Sequence, residues 1–80
     1  MADVITAFIE THILYGQSSQ PVTLDTPLGE GLVDSLGFER LVAFIEDEYG
    51  LTISQPEIVP ENFRTVREIE RFVRHKQAAA

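Results

Sequence analysis

The sequence predicts an all-α fold, a bundle of three main helices and one short helix, with a long loop between the first and second. Three observations point to it. Apolar residues recur at helical spacing in three separate stretches, glycines stand where the first two of them stop, and a Thr-x-x-Glu capping signature opens the last.

Helix one is expected over Asp3 to Leu14, where Val4, Ile5, Phe8, Ile9 and Ile13 form the inward stripe and Gly16 is placed to cap the C-terminus. From Gly16 to Asp34 the composition turns to Gln, Ser, Pro and Gly, which reads as a loop. A connection of this length is uncommon in a small domain and is often functional. Val22, Leu24, Leu28, Leu32 and Val33 are spaced through it, so it is expected to be pinned across the core. Helix two is expected from Ser35 to Tyr49 and to stop at Gly50. At about 100° per residue, Phe38, Leu41, Val42, Ile45 and Tyr49 face inward and Leu36, Arg40, Ala43 and Asp47 face out. Ser54 to Val59 has room for one short helical turn that Pro60 is expected to end. The last helix opens with Thr65 as N-cap and Glu68 as its capping-box partner, and buries Val66, Ile69, Phe72 and Val73.

With 80 residues the chain is read as a single domain, 1–80, in which Ala78, Ala79 and Ala80 have no partner in the pattern and read as a cloning remnant. The termini carry no linker tail, which suggests a free-standing protein. So short a chain has few residues to wall a deep catalytic pocket, so length favours a binding or carrier role over an enzyme. Cysteine is absent, which removes disulfides and thiolate metal sites from consideration. The N-terminus lacks the pattern of a signal peptide and no stretch is long enough to span a membrane, so a cytoplasmic location and a monomer are expected. A net charge of −7 argues against nucleic acid as a ligand, because phosphate-backbone binding needs clustered Lys and Arg. Residues 1 to 63 hold eleven of the thirteen acids and only Arg40 among the bases, which gives an acidic face able to steer basic partners.

The residues with chemistry to offer lie at the loop-to-helix junction, Gly31-Leu32-Val33-Asp34-Ser35-Leu36. Asp34 is suited to N-cap helix two, which puts Ser35 at the first helical position. There its hydroxyl stands at the positive end of the helix dipole, beside amide hydrogens that favour a phosphate on that oxygen. His12 and His75 have no spaced second ligand, and the run Glu46-Asp47-Glu48 lacks the alternating ligands and glycine of a calcium loop.

This pattern resembles the acyl and peptidyl carrier protein family: Asp34-Ser35-Leu36 after a glycine-containing loop, followed by Leu41, Val42, Glu46, Asp47, Glu48, Tyr49 and Gly50 at the family's spacing. Asp-Ser-Leu alone is a weak signal; length, helix order, loop length and acidity make it specific. The resemblance implies the acyl-carrier type of four-helix bundle and a 4′-phosphopantetheine arm placed on Ser35 by a phosphopantetheinyl transferase from coenzyme A with magnesium. It further implies a thioester cargo delivered by an acyl- or aminoacyl-activating enzyme and taken by a downstream synthase or transferase. The protein itself would be non-catalytic, with Leu36, Arg40, Ala43 and Asp47 as its partner face.

Departures from fatty-acid carriers narrow the expectation. Gly37 stands where an acidic residue is usual and costs about 1 kcal/mol relative to alanine inside a helix; close approach of the arm or a partner to the backbone is one reason for it, and drift at a helix start is another. Phe38 stands inward where a smaller residue is usual and is expected to fill the space that would shelter a long acyl chain. Arg40 reverses a charge on the outward strip, a possible device against wrong partners. Discrete carriers of the D-alanyl or aminoacyl kind are similar in these respects, which implies a short or polar cargo in a secondary-metabolite or aminoacyl-transfer pathway. Alternatives are a carrier of fatty-acid or polyketide synthesis, or a small acidic helical interaction module, without a prosthetic group, in which Ser35 is a phosphorylation site.

Overall fold

A computed structural model describes residues 1–14, 21–29 and 32–79 and is all-helical across them. Helix α1 (Ala2–Phe8) runs without a break into a π-helical turn (Ile9–Ile13); α2 is Ser35–Tyr49; a 3₁₀ turn covers Gln55–Glu57; α3 is Pro60–Phe63 and α4 is Val66–Ala79. Gly16, Gln17 to Gln20, Gly31 and Ala80, on which the expected cap of helix one and parts of the loop and tail fall, lie outside the described residues. No helix among the described residues is long and apolar enough to cross a membrane.

Helix two keeps the boundaries its end signals set. Asp34 is the N-cap, accepting the Gly37 amide at 2.7 Å, and Gly50 closes the helix in the left-handed conformation at φ 62°, with the Leu51 amide returning to the Glu46 carbonyl. Only a residue without a Cβ takes that φ cheaply. Thr65 caps α4 as expected, its hydroxyl accepting the Glu68 amide at 3.2 Å.

Two local expectations fail. Helix one does not stay α: the Leu14 amide bonds the Ile9 carbonyl five residues back, the pattern of a π-helical turn. Pro60 starts a helix and does not end one. It takes the first position of α3, where its missing N–H is no loss, and the turn before it is a 3₁₀ turn capped reciprocally by Ser54 and Glu57. Ala78 and Ala79 extend α4 as exposed residues.

The buried side chains form one cluster: Ile5 and Ile9, the loop residues Val22, Leu28 and Val33, Leu41 and Ile45 from α2, Ile53, Phe63, and Val66, Ile69, Phe72 and Val73 from α4. Phe38, Val42 and Tyr49 are half-buried against it, while Val4 and Leu24, expected inside, are exposed. The described part of the loop is pinned as expected. Leu28 donates its amide to the Arg64 carbonyl at 2.9 Å, Leu24 accepts from the Arg67 amide at 3.0 Å, and the Val22 amide bonds the Glu10 carboxylate at 3.1 Å. Asp25 adds a two-pronged pair with Arg67, but both side chains are exposed, and such pairs contribute little to stability.

Candidate functional site

Ser35 is the first residue of α2 and is exposed, as are Asp34 before it and Leu36 after it, the latter at 58%. Asp34 fixes this geometry: its carboxylate takes the Gly37 amide while its carbonyl takes the Phe38 amide at 2.8 Å. The other two amides of the first turn, Ser35 and Leu36, have no acceptor among the described residues. The hydroxyl therefore stands beside unused donors at the positive end of a helix of fifteen residues, a setting that stabilises a phosphate ester.

Gly37 is buried, and the reason is internal to the fold. A Cβ there would lie 3.0 Å from Ile13 Cγ2 and 3.2 Å from both Val33 Cγ1 and Asp34 Oδ1. The glycine serves the seating of the π-helical turn against α2, and neither an arm nor a partner is needed to account for it. Gly37→Ala is accordingly expected to lose about 1 kcal/mol of stability, crowding outweighing the gain in helix propensity, as measured by urea denaturation.

Beside Ser35 runs a cleft of about 610 Å³ between α2 and the 53–58 segment, lined among others by Ser35, Phe38, Val42, Ala43, Ile53 and Ile58. Asp34, Glu39 and Glu46 make its rim acidic. Phe38 is half-buried, its ring edge-on to Phe63 with centroids 5.5 Å apart, and Phe63 in turn lies 5.4 Å from Phe72. This row of three rings occupies the interior where α2, α3 and α4 meet. A second cleft, about 640 Å³, lies against Phe63 and Pro60 and shares Gly29, Phe38 and Ile58 with the first, so Phe38 and Ile58 stand between the two.

Leu36, Arg40, Ala43 and Asp47 are all exposed. The structure joins three of them to helix one: Arg40, Ala43 and Asp47 line a shallow groove with Phe8, His12 and Phe44. The Phe8 ring packs tilted against Phe44, with centroids 4.1 Å apart, and against His12, with centroids 5.2 Å apart. His12 thus borders this groove, whereas His75 lies far along α4 beside Arg71. The sequence reading missed two carboxylates. Glu46, which belongs to the acidic run Glu46-Asp47-Glu48, accepts the Ile53 amide at 2.8 Å, and Glu57 accepts Lys76 Nζ on both oxygens. Ser54 and Glu57, three residues apart, carried a capping signal that would have located the second.

No family model matches the chain. A curated relative, Aminoacyl carrier protein 2 of Bradyrhizobium diazoefficiens, is 42% identical over 41 residues, a match that takes in 51% of this chain and 46% of the relative. Over that stretch the chain is similar to a carrier protein. The matched stretch spans about half the length of that relative. Among solved structures, a chain of one described as "Crystal structure of FAD-dependent dehydrogenase" superposes with a TM-score of 0.78 at 34% identity, over 86% of this chain and 97% of that chain. The two chains are therefore similar in length as well as fold.

Proposed function

We propose that this protein holds a short acyl or aminoacyl group as a thioester on a 4′-phosphopantetheine arm attached to Ser35, and presents it to partner enzymes without catalysing a reaction itself. The observation that carries the reading is the exposed Ser35 hydroxyl at the first position of α2, capped by Asp34 and opening onto a cleft. Phosphopantetheine would supply the thiol that the chain lacks; its phosphate would meet the free amides of Ser35 and Leu36, and the cleft would receive the arm. Partners would be a phosphopantetheinyl transferase, an activating enzyme and a consuming enzyme, engaging Leu36, Arg40, Ala43 and Asp47. The chain is read as one domain acting in the cytoplasm.

The row Phe38–Phe63–Phe72 supports a short or polar cargo, because it occupies the space a long acyl chain would need. The acidic rim of Asp34, Glu39 and Glu46 favours a cargo with a free ammonium group, as in an aminoacyl thioester. Since the solved relative is described as a FAD-dependent dehydrogenase, removal of two electrons and two protons from the cargo by a flavin enzyme is a consuming reaction to test.

Intact-mass analysis after incubation with coenzyme A, magnesium and a broad-specificity transferase is expected to show one phosphopantetheine per chain. An unmodified mass would leave the interaction-module reading in its place. A medium-length acyl chain found buried among the three rings would overturn the cargo assignment.

A further inference from the structure

The wall of the cleft opposite α2 is built from residues 53 to 58, of which Ile53, Gln55 and Ile58 line the cavity. That stretch has little to hold it by itself. It contains a single 3₁₀ turn, Ile53 is its one buried side chain, and Ile58 is half-buried. Polar ties fix it at both ends. Toward α2 the Ile53 amide bonds Glu46 at 2.8 Å.

Toward α4, Glu57 is the hub. Lys76 Nζ donates to both of its carboxylate oxygens at 2.7 and 2.8 Å, the Ser54 amide and hydroxyl donate to Oε1 at 3.0 Å, and Asn62 Nδ2 donates to its carbonyl at 2.8 Å. Lys76 stands in the last turn of α4 with Nζ 5.7 Å from the centre of the Phe72 ring. The two side chains are only 22% and 31% exposed, so salt screens this pair less than it does Asp25–Arg67 at the surface.

We infer that the Glu57–Lys76 pair is the positioning device of this protein: it clamps the cleft wall beside Ser35 at the spacing in which the pantetheine arm and its cargo lie. The inference rests on the proposed carrier function and adds to it residues nineteen positions apart that never touch the attachment site. Lys76, then the Ser54 amide, holds the Glu57 carboxyl down to about 2 from 4.5. A carboxyl depressed in the folded state contributes stability that is complete above its unfolded value and is lost as pH falls from about 4.5 toward about 2. The clamp is therefore closed throughout the neutral range and does not act as a pH switch.

Lys76→Met tests this, because it keeps the stem over Phe72 and leaves the Ser54–Glu57 cap in place while removing the charge. Wild type and K76M are each loaded from propionyl-coenzyme A by a broad-specificity transferase, and equal loading is expected. In K76M, amide exchange at Ile58 and Val59 is expected to rise about tenfold with Ile45 and Ile69 unchanged. Nuclear Overhauser contacts from the arm's geminal methyl groups to Val42 and Ile58 are expected to vanish, and hydroxylamine to cleave the thioester about threefold faster, as access to the sulfur increases. Glu57→Gln, which retains an acceptor for Ser54, is expected to reproduce the effect. A loaded K76M whose exchange, arm contacts and cleavage rate match wild type overturns the clamp and leaves the carrier function standing. Failure of the wild type to load overturns the carrier function and the clamp with it.

Discussion

Ser35→Ala is expected to abolish attachment of phosphopantetheine completely while leaving the fold intact. The loss is total because Ser35 is the serine that Asp34 presents at the head of α2, while the hydroxyl of Ser54, the other described serine, is already bonded to Glu57 at 3.0 Å. The fold survives because Ser35 is exposed and its hydroxyl makes no hydrogen bond among the described residues; the cap is made by Asp34 to Gly37. Surface changes of this kind alter stability by less than about 0.5 kcal/mol. Intact mass and circular dichroism measured on one sample separate the two quantities. Attachment that persists in S35A would place the arm elsewhere and remove the basis for the proposed function.

Phe63→Ala is expected to have the largest effect on stability. Phe63 is 1% exposed and is the middle ring of the row, edge-on to Phe38 and tilted against Phe72. Truncating a buried Phe costs about 3–5 kcal/mol. A domain of this size holds in total roughly 0.05–0.15 kcal/mol per residue, so the loss takes about a quarter or more of its stability. The melting temperature should fall by about 12 °C or more, at about 4–8 °C per kcal/mol for a small domain. Phe63→Leu, which conserves most of the volume, should cost less than half as much. Calorimetry on the two variants checks the ratio, and a fall of only a few degrees for F63A would show that the aromatic row is not what fills the interior.

Much of the architecture could be read from local signals because those signals are themselves short-range. Asp34 accepts an amide three residues on and Gly50 adopts a left-handed φ, so both ends of α2 follow from neighbours in sequence. The stripe Val66, Ile69, Phe72 and Val73 is buried because its spacing matches the helical period. The placement of Ser35 on the surface at the head of α2 needed only the cap and the period.

Other features could not be read because their partners are remote. Gly37 looked like a place for a ligand or for drift until Ile13 was found 3.0 Å from where its Cβ would be. Pro60 was expected to end a helix, yet the same fixed φ serves equally to begin one, and the segments before and after it decide between the two. Lys76 reads in the sequence as one of several basic residues in a crowd near the C-terminus; only folding brings it to Glu57. Val4 satisfied the helical period and is exposed all the same.

The amino-acid sequence by itself determined the helical bundle, the ends of its second helix and the serine presented there, all consequences of periodicity and capping that act within a few residues. The tertiary structure alone decided what the glycine after the motif is for, which rings occupy the interior, and how the cleft wall beside the serine is tied. Those depend on groups from separate helices meeting at contact distance, and such meetings are set by the packing of the whole chain.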